Sequence, residues 1–114
     1  MRRVEKPWGH EEVWAETDRY VGKVLFIRRG FRLSLQHHEV KDEHVRVARG
    51  AMLLELEDSQ GQLVAQEMHP GDQRHIPPGR RHRMTAISDC EVFEVSTPEL
   101  DDVVRHEDDY GRAP

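Results

Sequence analysis

Short apolar runs, each stopped within a few residues by glycine, proline or an acidic turn, run the length of this chain and leave little room for anything but strands. Successive side chains of a strand point to opposite faces. Many short strands with closely spaced turn signals are the pattern of a β-barrel or sandwich. "YVGKVLFI" (20–27) is apolar on both faces, "FRLSLQHH" (31–38) alternates, and "EVKDE" turns. "HVRVA" (44–48), "AMLLELE" (51–57) and "QLVAQEM" (62–68) follow, the last two joined by "DSQG" as a hairpin connection. "QRHI" (73–76) lies between the turn "HPGD" and the rigid bend "PPG", and "CEVFEVS" (90–96) is the expected last barrel strand. The core of the barrel is expected over about 12–96, within a single domain. The acidic tail 97–114 is compatible with a short helix or an edge strand. No helical periodicity stands out elsewhere.

With 114 residues, 36% hydrophobic and 6% aromatic, the core is lean, and a second copy of the chain would help to bury apolar surface. A homodimer is the expectation. The net charge of −5 excludes a general binder of nucleic acid or of acidic membranes. The single cysteine, Cys90, excludes an internal disulfide and suits a reducing cytoplasm. No apolar run approaches a membrane span and no signal-peptide core is present, so a cytoplasmic protein is expected.

Eight histidines are scattered along the chain. Of the adjacent pair, His38 shares a face with Gln36 while His37 points the other way. Hydropathy alone places the polar face outside; a barrel enclosing a ligand site would reverse that. Taken singly, His37, His44, His69, His75 and His106 are expected in ordinary polar roles, with His44 and His75 able to relay protons near a barrel mouth.

Two spacings carry more. Gly30-x5-Gln36-x-His38-x4-Glu43-x6-Gly50 and Gly71-x5-Pro77-x-Gly79-x2-His82 resemble the paired motifs of the cupin superfamily. That resemblance implies a small antiparallel jelly-roll β-barrel and, position by position, a metal held by Gln36, His38, Glu43 and His82. Two imidazoles, a carboxylate and an amide oxygen suit a divalent first-row ion, with zinc first and manganese, iron, cobalt or nickel as the other candidates. Gln36 stands where cupins usually carry a histidine, and Ala86 where an asparagine is often found.

"PWGHEEVW", "RLSLQHHEVKDEH", "IPPGRRHR" and "EDDYGR" narrow the likeness to the isomerase domain of type II mannose-6-phosphate isomerases, over about Lys6 to Arg112. The resemblance implies interconversion of an aldose phosphate and a ketose phosphate, which needs a base beside a carbonyl and an electrophile for the enediolate. Lys23 and Arg32 match basic positions of that family and are the candidates for sugar or phosphate contact. Glu94 and His44 are the candidate bases. Arg74, Arg80 and Arg81 are expected in solvent, and "EDDYGR" is expected to dock Tyr110 on the barrel. Val45 and Arg46 follow His44 where the family often has an aromatic. No glycine-rich nucleotide loop is present, so nucleotidyl transfer is not expected. The alternatives are a non-catalytic sugar- or metabolite-binding module and a metal-dependent dioxygenase.

Overall fold

A computed structural model describes all 114 residues. Its eleven strands are β1 (Arg2–Lys6), β2 (Gly9–Glu16), β3 (Val21–Ile27), β4 (Leu35–His37), β5 (Glu43–Arg49), β6 (Met52–Glu57), β7 (Leu63–Met68), β8 (Gln73–Ile76), β9 (His82–Ala86), β10 (Cys90–Ser96) and β11 (Val104–Glu107). They form a six-stranded sheet in the order β1-β2-β3-β10-β5-β8 and a five-stranded sheet in the order β11-β4-β9-β6-β7, with antiparallel pairing throughout. This is the expected all-β jelly roll. The barrel is not closed by hydrogen bonds, because no ladder joins the edges of one sheet to the other. No helix is long and apolar enough to cross a membrane.

The turn signals and alternation locate β3, β5, β6, β7, β8 and β10 to within a residue or two. The run 31–38 contracts to Leu35–His37, with Arg32 making only an isolated bridge to Thr85. Strands also extend well outside 12–96: β1 and β2 open the six-stranded sheet, and β11 settles the tail as an edge strand on β4. Consequently β10 is not the last strand. It sits between β3 and β5 in the interior of its sheet.

Seventeen buried apolar residues form the core, drawn from the facing surfaces of both sheets. Leu25, Ile27, Val45, Val47 and Val92 from one sheet meet Met52, Leu54 and Met84 from the other. Each such side chain contributes roughly 1.5–3 kcal/mol on full burial. The inward stripes do not stay apolar. Along β3, β5 and β10 they pass to Lys23, Glu43 and Glu94, all buried, and Lys23 lies directly opposite Glu94 in the ladder. On the reverse face of β10, Phe93 and Val95 are 48% and 55% exposed, and Trp14 and Tyr20 are exposed too. One connection demands glycine: Gly50 has φ +75°, and a Cβ there would lie 2.2 Å from the carbonyl oxygen of Asp89.

A candidate metal and ligand site

His38 follows β4 at the start of the 38–42 turn, Glu43 opens β5 and His82 opens β9. Hydrogen bonds draw these distant segments together. The Gly79 N–H, in the Pro-Gly bend before β9, donates to the His38 carbonyl at 2.7 Å. The Asp102 carboxylate accepts from the N–H groups of Glu39, Val40 and Lys41, which fixes the turn between His38 and Glu43. All three side chains are buried, and their ligand atoms lie within 4.8 Å of one another. They are a group that could hold a metal ion.

The imidazoles are oriented for that task. His38 Nδ1 donates to the Asp102 carbonyl at 2.6 Å and His82 Nδ1 to the Arg80 carbonyl at 3.0 Å. A carbonyl only accepts, so each Nδ1 carries a proton and each Nε2 is the ring nitrogen turned toward the site. Both Nε2 atoms face Glu43 Oε1, at 3.0 and 3.2 Å. Backbone carbonyls behind metal-binding histidines fix tautomer and ring angle in this way. Gln36 lies across the strand pair from His82 and lines the same cavity, and its Oε1 accepts from the Ser34 hydroxyl.

Charge accumulates behind the triad. Lys41 Nζ stands 3.1 Å from Glu94 Oε2 and 3.7 Å from Glu43 Oε2, and Lys23 Nζ 3.1 Å from Glu11 Oε2 and 3.7 Å from Glu94 Oε2. Lys41 is at ion-pair distance from Glu94 Oε2 without the alignment of a hydrogen bond, and that oxygen has no hydrogen-bond partner. Burial and the charge of Glu43 push the Glu94 carboxyl up to about 7, against the pull of Lys23 and Lys41. Burial also disfavours the ionised Glu43, but hydrogen bonds from His38 and His82 and the charge of Lys41 outweigh it and hold that carboxyl well below the usual range. Burial opposes the charge on Lys41, yet Glu94 and Glu43 raise its ammonium overall. Three carboxyl groups, Glu11, Glu43 and Glu94, thus face the two ammonium groups of Lys23 and Lys41 in the buried cluster. Arg83, on the same cavity wall, is tied instead to the Leu33 carbonyl and to Glu107.

Of the expected site residues, Lys23, Glu43, Glu94, His38 and His82 converge. His44 does not. It is exposed, bonded to Gln73 and stacked on His75, because it alternates with Glu43 along a regular β5 and projects from the opposite face. Arg32 is also displaced from the expected contact: its exposed guanidinium binds Asp109 at 2.7 and 2.8 Å and borders neither cavity at the site. His37 stacks on His106, facing away from His38 as alternation requires. Arg80 and Arg81 bond to Glu57, and Tyr110 docks as expected, its hydroxyl donating to the Arg32 carbonyl. Lys41, Glu11 and Asp102 were not marked by the sequence: Lys41 and Asp102 lie in turns, and Glu11 in a strand without clear alternation. A depression of about 550 Å³ beside His10, Phe26 and Cys90 borders none of the buried polar residues, whereas one of equal volume beside Tyr20, His44 and His75 reaches Glu43 and Ser96. The cavity at Glu43, His82 and Glu94 is only about 50 Å³, but it is where the ionisable groups converge.

Residues 1–108 match the family described as Mannose-6-phosphate isomerase C-terminal. The Xanthan biosynthesis protein XanB of Xanthomonas campestris pv. campestris is 31% identical over 123 residues, covering 97% of this chain and 24% of its own. Mannose-1-phosphate guanylyltransferase of Escherichia coli is 32% identical over 116 residues, covering 97% and 23%. The chain therefore spans about a quarter of the length of these relatives. Among solved structures, KdgF from Halomonas sp. aligns with a TM-score of 0.76 at 24% identity over 89% of each chain. An RmlC-like cupin from Shewanella frigidimarina aligns with a TM-score of 0.77 at 13% identity, over 88% of this chain and 86% of that one. At such identities the likeness carries the fold, a cupin jelly roll.

Proposed function

Because the chain belongs to the Mannose-6-phosphate isomerase C-terminal family, we propose that it interconverts an aldose phosphate and a ketose phosphate at a divalent metal held by His38, Glu43 and His82. The observation that carries this reading is the meeting of two tautomer-fixed imidazoles on one carboxylate, beside a second carboxyl, Glu94, pushed to about 7. A bound ion supplies Lewis-acid polarisation of a sugar oxygen. Zinc suits two nitrogens and one carboxylate oxygen, with manganese, iron, cobalt and nickel as alternatives, and Gln36 is the residue we assign to a fourth position.

Glu94 is the base in this reading. Its carboxyl is 4% exposed and flanked by Lys23 and Lys41, and a group titrating near neutrality is suited to take a proton from carbon and return it. Lys23 and Lys41, beside Glu94, are the groups we assign to offset the negative charge of an enediolate, an interaction that dry surroundings strengthen. His44 and Arg32 have no part in it.

A second reading is a non-catalytic sugar-binding module, favoured by the ion pairs that already engage Glu94 with Lys23 and Lys41. The chain's assembly is proposed as a cytoplasmic homodimer, with the exposed Trp14, Tyr20, Phe93 and Val95 as the contact face. The deciding experiment is release of fructose 6-phosphate from mannose 6-phosphate by protein purified without a tag and reconstituted with each metal. Turnover above the metal-free control supports the isomerase. Binding of the sugar phosphate without turnover replaces it with the binding module.

A further inference from the structure

Beside the triad cavity lies a second one of about 80 Å³, walled on one side by the C-terminal segment and sharing Glu11, Lys23, Gln36 and Lys41 with the first. Five basic side chains border it, against the single carboxylate of Glu11. Three of them are already paired: Lys23 with Glu11, Lys41 with Glu94, and Arg112 with Asp108. Lys6 and Arg105 have no carboxylate partner, and Arg105 Nε is buried without any hydrogen bond. A buried guanidinium donor left without an acceptor is costly, and two unpaired cations on one cavity repel each other. Burial, then Arg112, lowers the Arg105 guanidinium against the pull of Asp108. Burial likewise lowers the Lys6 ammonium; Glu11 opposes this, and Lys23, Arg112 and Arg105 add to it.

We propose that Lys6 and Arg105 form the docking point for the phosphate group of a sugar phosphate monoester. A dianion answers both unpaired charges, whereas a carboxylate would leave one unanswered, and the planar fork of arginine matches two phosphate oxygens at once. The position is suited to the reacting end as well. Arg105 on β11 faces Gln36 on β4, which faces His82 on β9, so anchor and metal ligand lie two strand spacings apart, roughly 10 Å. That is comparable with the length of an extended hexose phosphate. The inference rests on the sugar-phosphate reading of the site and moves the phosphate contact away from Arg32, which Asp109 already neutralises.

Isothermal titration of the metal-loaded protein with mannose 6-phosphate, mannose and inorganic phosphate tests this without reference to turnover. Wild type is expected to bind mannose 6-phosphate well above mannose, more weakly as salt rises, with inorganic phosphate competing. Arg105→Gln and Lys6→Ala are each expected to weaken mannose 6-phosphate by about 10- to 100-fold while metal content and mannose binding stay unchanged. Lys6→Ala lies outside the β11–β4 ladder, so its loss of affinity cannot be put down to a disturbed edge strand. Equal affinity of wild type for the sugar with and without phosphate, or wild-type affinity in Lys6→Ala, overturns the inference. Tight phosphate-dependent binding with no isomerisation sinks the catalytic reading and leaves this one standing.

Discussion

The imidazole rings of His38 and His82 stand 5.1 Å apart at a tilt of 51°, and both aim Nε2 at the same oxygen of Glu43. Two ring nitrogens converging on one carboxylate oxygen are held there by positive charge, a proton on a ring or a shared cation, and backbone carbonyls forbid either ring from turning its Nδ1–H inward without losing a hydrogen bond.

Removal of either ring takes away one of the three candidate donors. His38→Ala and His82→Ala are expected to abolish binding of the divalent ion while the far-ultraviolet circular dichroism of the all-β fold persists. Metal analysis of untagged, purified protein checks this. Retention of wild-type metal in both variants would show that the ion sits elsewhere.

Glu94→Gln keeps the shape of the side chain and removes its ability to accept a proton. Turnover is expected to fall about 10²- to 10⁴-fold, the usual contribution of a positioned base, with metal content unchanged because Glu94 is outside the donor triad. Steady-state kinetics alongside metal analysis separate the two effects. Undiminished kcat removes Glu94 from the chemistry.

Asp102 links the tail to the site and sets an acid limit on stability. The N–H groups of Lys41, Val40 and Glu39 pull its carboxyl from the ordinary 3.8 down to about 2. A carboxyl lower in the folded than in the unfolded state stabilises the fold fully above the unfolded value, and that contribution is lost as pH falls through the folded one. The loss belongs to the window between 3.8 and about 2. Asp102→Asn is expected to flatten the decline of the urea midpoint across that window, relative to wild type.

Gly50→Ala tests the connection between β5 and β6. At φ +75° a side chain is strained, and the Asp89 carbonyl already occupies the place of the new methyl. A loss of about 1–3 kcal/mol is expected, read as a lower urea midpoint with an unchanged slope. An unaltered midpoint would mean that the backbone there relaxes freely.

Alternation and turn residues were enough to read β8 and β10 correctly and to set His37 and His38 on opposite faces, because a period of two is a local property of the extended chain. β9 escaped notice since its interior carries Arg83, buried through bonds to Leu33 and Glu107 from remote segments. β1 and β11 are mostly exposed edge strands, with too little burial to impress a hydrophobic pattern on their sequence. Glu94 illustrates the opposite difficulty: hydropathy would bury Phe93 and Val95, yet both are largely exposed and the carboxyl is inside.

By itself the amino-acid order determined an all-β chain, its main strands and turns, and the residue types able to hold a metal, since these depend on neighbours a few positions away. Only the tertiary structure decided that Glu94 and Lys23 face inward, that Lys41 joins them, that His44 and Arg32 do not, and that Arg105 returns from the tail to the site. Those outcomes depend on pairings as distant in the chain as Val21 with Ser96 and His37 with Val104, and on the balance of charge in a space that no single segment encloses.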